Sequence, residues 1–247
     1  MKIYFITYYI NKERENKEHM KKIGFVGAYD KTDIILNIAK ILTLFGKNVL
    51  VVDNTTIQKC KYVVPVINPT KTYVTSYEEI DVAVGFSGLE NLRQYLGLEE
   101  NETLEYDYML VDTDNFEGVI NFELQGADKD YFVTGFDAYS LKKGIEILNQ
   151  FGVPTRFTRI FFSKDMLKEE EDYFDYLALG IKAIWNEEKL YFLLENGDLP
   201  AIIENQRLFK IRLRNMSNEY RDNIAFLVND IDQEIGMKKI KNMIKEL

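Results

Sequence analysis

The chain has 247 residues, 46% hydrophobic and 29% charged, an ordinary globular composition with length enough for one large α/β domain. A net charge of −9 and a pI near 4.9 oppose nucleic-acid binding by the surface as a whole and leave room only for a local basic patch. The single cysteine (Cys60) excludes an internal disulfide framework, the single histidine (His19) argues against zinc sites and Ser-His or Cys-His catalysis, and no run of about 18 apolar residues offers a membrane span, so the composition points to a cytosolic protein.

Residues 1–10 are apolar and 11–19 wholly polar; this stretch reads either as a short extra strand with a linker or as an upstream translation artefact. From residue 20 the pattern alternates. A strand over 22–27 leads into a helix over 31–45, whose Ile34, Ile35, Ile38, Ile41, Leu42 and Phe45 recur at helical spacing. Gly46 stops it, and 49–53 is a continuous apolar strand of the buried parallel type. The pattern then predicts β-rich pieces at 62–67 and 73–86, a helix over 89–97, and a buried strand over 108–112. A strand at 130–134, a helix over 140–151 and a strand at 156–163 follow. Beyond 165 the pattern is more helical, with a long helix predicted over 217–235. Alternating β and α units with right-handed crossovers predict one three-layer α/β sandwich with a mostly parallel central sheet.

The most specific local feature is Gly24-Phe-Val-Gly27-Ala28-Tyr29-Asp30-Lys31-Thr32. An apolar strand runs into a glycine turn, a Lys-Thr pair and an apolar-periodic helix, which is the setting of a phosphate-binding loop. Such a loop has glycine directly before its lysine, and here Asp30 stands there. Two readings follow. Asp30 is a helix N-cap whose carboxylate occupies the helix's own anion site, with Lys31 neutralising it; or it points outward and leaves the cradle open.

Several signals in order resemble the ParA/MinD family of P-loop ATPases, over about residues 20–235. They are Gly27 with Lys31-Thr32; Asn37, six residues after that lysine; Gly46-Lys-Asn-Val-Leu-Val-Val-Asp53; Tyr106-Asp-Tyr-Met-Leu-Val-Asp112-Thr113; the helix pattern from Phe136; and Gly197-Asp-Leu-Pro200. The resemblance implies a P-loop NTPase fold of the SIMIBI type. It implies nucleotide binding by Gly27, Ala28, Tyr29, Asp30, Lys31 and Thr32, and Mg²⁺ held by Thr32 and Asp112. Asp112 and Asp53 take the catalytic roles, Asp53 positioning the attacking water. The departures are equally specific. The family's signature lysine, which reaches the partner's nucleotide across the dimer, is replaced by Val26. The loop's later glycines are Ala28 and Asp30, Ser163 stands where the family has an adenine-binding asparagine, and Asp114-Asn-Phe-Glu117 replaces a Pro-rich switch. The chain is therefore identified as a degenerate, TadZ-like member.

Two patches complete the reading. Arg207, Lys210, Arg212, Arg214 and Arg221 form a late basic cluster, suited either to DNA backbone or to solvent. After Gly236, Met237, Ile240, Met243, Ile244 and Leu247 make a second apolar stripe with Lys238, Lys239, Lys241 and Lys245 beside it. This is a basic amphipathic end (236–247) that docks on the domain, on a partner or on a membrane. The expected function is a dimerising localisation or assembly module, for example of a pilus or secretion apparatus, with weak or no ATP hydrolysis. The alternative is an active Mg-ATP-dependent partitioning or septum-positioning ATPase on DNA or membrane. Expected cofactors are ATP and Mg²⁺ if the loop is competent and none otherwise. Expected partners are a second copy, a protein of a larger assembly, and a peripheral contact with the inner membrane face through 237–247, ahead of DNA.

Overall fold

The computed structural model describes residues 20–67, 70–99, 102–163, 168–194 and 197–247. The expectation of an extra strand or artefact at 1–19 lies outside them. In chain order the elements are β1 (Lys21–Val26), α1 (Thr32–Leu44), β2 (Val49–Asn54), α2 (Cys60–Val63), β3 (Tyr73–Tyr77), β4 (Ile80–Val84), α3 (Leu89–Tyr95), β5 (Tyr108–Thr113) and α4 (Phe116–Asn121). There follow β6 (Lys129–Gly135), α5 (Ala138–Leu148), β7 (Thr155–Phe162), α6 (Lys168–Leu177), β8 (Ala183–Phe192), α7 (Asp198–Leu208), α8 (Asn218–Ile231) and α9 (Met237–Glu246).

The eight strands form one sheet in the order β3-β4-β2-β5-β1-β6-β7-β8, parallel except for the antiparallel edge strand β3. Both faces are covered, which is why the stretches 23–26, 49–52 and 108–111 of β1, β2 and β5 read without a charged residue. Alternate residues go to opposite cores: Val49 and Val51 to one, Leu50 and Val52 to the other. The first core is closed by α1, α8 and α9, the second by α3, α4, α5 and α6. The expected three-layer α/β sandwich is the observed one.

Helix α1 shows the logic of a single element. Ile34, Ile35, Ile38, Ile41 and Leu42 are buried on the first core, each stabilising the fold by about 1.5–3 kcal/mol relative to exposure. It ends where Gly46 takes a left-handed φ of +78°, with Gly46 N–H donating to Thr43 O and Lys47 N–H to Leu42 O.

Two expectations are corrected, and one of the alternatives for the tail is the one observed. Residues 62–67 form no strand: Cys60–Val63 is a short helix, because Asp53 Oδ2 accepts from Cys60 N–H at 2.9 Å and turns the chain there. The region beyond 165 contains a ten-residue strand, β8, which pairs with β7. Its middle, Asn186-Glu-Glu-Lys189, is polar because β8 is an edge strand with a register irregularity opposite Phe157–Arg159, so only its ends are anchored in the core. The basic tail is helix α9, and it packs on the domain. Ile240 and Ile244 are buried in the first core beside α8, while Lys238, Lys239, Lys241 and Lys245 face outward. The stripe that would enter a bilayer is thus already covered by protein.

Candidate functional site

The sheet order places β1 between β5 and β6, so the chain leaves β1 in one direction for β2 and later crosses to β6 on the other side. Ligands of open α/β sheets bind in the crevice at the carboxyl end of such a switch point. The loop 27–31 sits there. Gly27 has φ +142°, and a Cβ on it would lie 2.0 Å from Val133 O, so only glycine lets the loop pass over β6. Ala28 is half-buried at the turn. Tyr29 stacks on Phe162 at 4.6 Å and lies against Gly135, where a Cβ would meet its ring at 2.9 Å. The loop is therefore pinned over the ends of β6 and β7.

Lys31 turns inward. Its Nζ donates to Gly27 O at 2.8 Å and pairs with Asp112 Oδ1 at 2.6 Å, with both side chains less than 5% exposed. Thr32, buried, opens α1. The expected N-cap assignment is corrected: the N-cap position is Lys31, and Asp30 lies one residue earlier. Asp30 still reaches the helix terminus, because its Oδ1 accepts from the first helical amide, Thr32 N–H, at 3.1 Å. Its neutralising partner is also corrected. Lys31 is drawn to Asp112 and Gly27 O, and Lys59 takes the role instead, with Nζ 2.6 Å from Asp30 Oδ2 and 2.9 Å from Asp33 Oδ2. Gln206 Nε2 of α7 donates to both Asp33 oxygens at 2.9 Å. Burial pushes the Asp30 carboxyl up, but the Lys59 charge and hydrogen bonds outweigh it and hold the group below the usual carboxylate range.

The two strand-end aspartates lie on neighbouring strands. Asp53 and Asp112 are register partners on β2 and β5, and Phe25 of β1 is the partner of Asp112 on its other side. Asp112 is buried at the carboxyl end of the sheet; burial raises its carboxyl, against the pull of Lys31, to about 7. Asp53 is used up locally. Its Oδ1 accepts from Thr55 N–H at 3.1 Å and Thr55 Oγ1 at 2.6 Å, and its Oδ2 from Cys60 N–H. Cys60 itself is buried, and burial drives its thiol well above the ordinary range.

The segment after β5 is tied to the segment after β2. Asp114 accepts from Thr56 N–H at 3.0 Å, and Asn115 caps α4 by accepting from Gly118 N–H at 2.8 Å. Asn37 is not in the site: its Nδ2 donates to Tyr220 Oη at 3.0 Å, joining α1 to α8. Sequence reasoning missed Lys59. Nothing local distinguishes it from Lys61, since its role depends on how 54–60 folds back on the loop.

Fold and loop together define a P-loop-type α/β protein. More particularly, the chain shares the fold of ParA-family ATPases. It is similar to a ParA family ATPase from Chlorobium tepidum (TM-score 0.53, 16% identity, covering 91% of this chain and 97% of that one). It is also similar to a plasmid partition protein from Borrelia burgdorferi bound to AMPPNP (TM-score 0.50, 15% identity, covering 93% and 100%). No protein-family model and no curated protein matches the sequence.

Proposed function

We propose that the chain is a ParA/MinD-like protein whose phosphate loop is filled by its own Asp30, and that it acts as a dimerising localisation or assembly module with weak or no ATP hydrolysis. The observation that carries this reading is the Asp30 carboxylate, which spans Thr32 N–H and Lys59 Nζ. In a phosphate loop the first amides of the helix are the ligand's donors. Here one of them is already occupied. A nucleotide must displace that hydrogen bond and lie beside the carboxylate. Since Asp30 is half exposed and paired, the cost is about 1–3 kcal/mol rather than that of an unscreened charge.

Asp53 supports the same reading. Three of its roughly four acceptor sites are already taken by its own segment, which ties it down as a group for positioning a water. The oxygen donors Mg²⁺ prefers are present in Thr32 and Asp112, but Lys31 already holds one Asp112 oxygen. If Mg-nucleotide is bound, Lys31, Thr32 and Asp112 are the residues that would hold it. The metal would then supply charge neutralisation at the phosphates. The active-ATPase reading draws on this retained trio.

The assembly served is a protein complex at a cell site, such as a pilus or secretion apparatus, with a second copy as first partner. Contact with an anionic membrane would fall to the outward lysines of α9.

Equilibrium binding of labelled ATP with Mg²⁺ decides between the readings. We expect no micromolar binding by the wild type and recovered binding in Asp30→Gly. Micromolar wild-type binding that collapses in Lys31→Ala overturns the proposal and installs the working ATPase.

A further inference from the structure

Lys59 belongs to no recognised motif, yet the fold spends several contacts to bring it to the loop. Asp53 takes Thr55 and Cys60, Asp114 takes Thr56, and Gln58 N–H donates to Thr55 Oγ1 at 3.0 Å. Gln58, directly before it, sits at φ +53°, a left-handed conformation uncommon for a residue other than glycine. The outcome of this folding is that Lys59 Nζ meets the loop through Asp30 Oδ2 while Asp30 Oδ1 holds the helix amide. One anionic group thus bridges a helix N-terminal N–H and a lysine, which is what a phosphate does with two of its oxygens.

We propose that Lys59 is a phosphate-binding residue of this loop, and that the Asp30 carboxylate is a built-in stand-in for two oxygens of one phosphate. The inference rests on the reading above, in which Asp30 fills the loop's anion position. It identifies the ligand class as a phosphate group with at least two free oxygens, carried by a nucleotide or by pyrophosphate. A second carboxylate makes the position durable. Asp33 Oδ2 holds Lys59 at 2.9 Å and is itself held by Gln206, so the ammonium remains beside the loop when Asp30 is gone. Lys31 and Lys59 then present two cations to the ligand from different segments, one following β1 and one following β2.

The test is calorimetric titration of ATP, with and without Mg²⁺, and of pyrophosphate into Asp30→Gly, Asp30→Gly/Lys59→Met, Asp30→Gly/Lys59→Arg and Asp30→Gly/Lys61→Met. Thermal melts confirm that each variant folds. We expect Asp30→Gly to bind, Lys59→Met to weaken that binding about tenfold or more for both ligands, Lys59→Arg to keep most of it, and Lys61→Met to change nothing. Equal affinity of Asp30→Gly and Asp30→Gly/Lys59→Met overturns the inference, as does an equal loss from Lys61→Met. Absence of binding in folded Asp30→Gly overturns both this inference and the self-occupied loop. If the wild type binds ATP, the proposed function and the stand-in role of Asp30 both fall, and the phosphate role of Lys59 is tested by itself. Lys59→Met in the wild-type background then decides that role: a loss of about tenfold sustains it and no loss overturns it.

Discussion

Asp130 lies on β6 opposite Gly24, its register partner on β1, and the two strands leave its carboxyl only 7% exposed. A Cβ on Gly24 would meet Asp130 Oδ1 at 2.1 Å, and that oxygen has no hydrogen-bond partner among the described residues. Burial alone raises the carboxyl from 3.8 to about 8. The folded protein therefore keeps a proton that the unfolded chain releases near pH 4, and stability falls as pH rises until the folded group also ionises near pH 8. Integrated from pH 6 to pH 9, this loss is about 2.7 kcal/mol, or roughly 5–10 °C in Tm for a chain of this size. Asp130→Asn removes the titration while keeping the shape. The assay is urea unfolding of both proteins from pH 6 to pH 9, read as the difference between them, because Asp112 titrates in the same window. We expect the wild type to lose about 2.7 kcal/mol more than Asp130→Asn across that range. Equal pH slopes would refute the buried neutral carboxyl, whatever constant offset the asparagine brings.

Gly27→Ala forces a Cβ into a backbone oxygen at a φ that L-residues avoid; we expect a loss of about 3 kcal/mol or more in chemical unfolding, and an unchanged midpoint would show that the loop does not pass so close to β6. Tyr220→Phe strips the buried partner of Asn37 and should cost about 1–3 kcal/mol, whereas no cost would show that this hydrogen bond contributes nothing to holding α1 against α8. Ile240→Ala should cost about 2–5 kcal/mol if α9 is packed as described. A near-neutral effect, together with loss of liposome flotation on deleting residues 237–247, would mean that the tail leaves the domain for the membrane.

Where the sequence failed, the cause was non-local. The strand β8 was illegible because an edge strand need not be apolar throughout: Trp185, Leu190 and Phe192 pack inward while Glu187 and Glu188 remain in water. The segment 62–67 carries β-formers, but Asp53 captures the Cys60 amide and a helical turn forms there instead. The stripe of α9 was visible as amphipathic; that α8 and the first core cover it was not, since periodicity states that a face seeks apolar cover and not which cover it finds.

The sequence by itself determined the alternating α/β plan, the loop over 27–32 and the strand-end carboxylates Asp53 and Asp112. Each follows from local periodicity, a glycine that the backbone requires, or the habit of strands ending where the crevice opens. It also singled out Asp30 as the residue at odds with a phosphate cradle. Only the tertiary structure decided what Asp30 does. It holds the Thr32 amide, but its cation is Lys59 from the segment after β2, not the adjacent Lys31. Adjacency in sequence does not set side-chain pairing: Lys31 is turned inward to Asp112 and Gly27 O, while the fold of 54–60 brings Lys59 to Asp30.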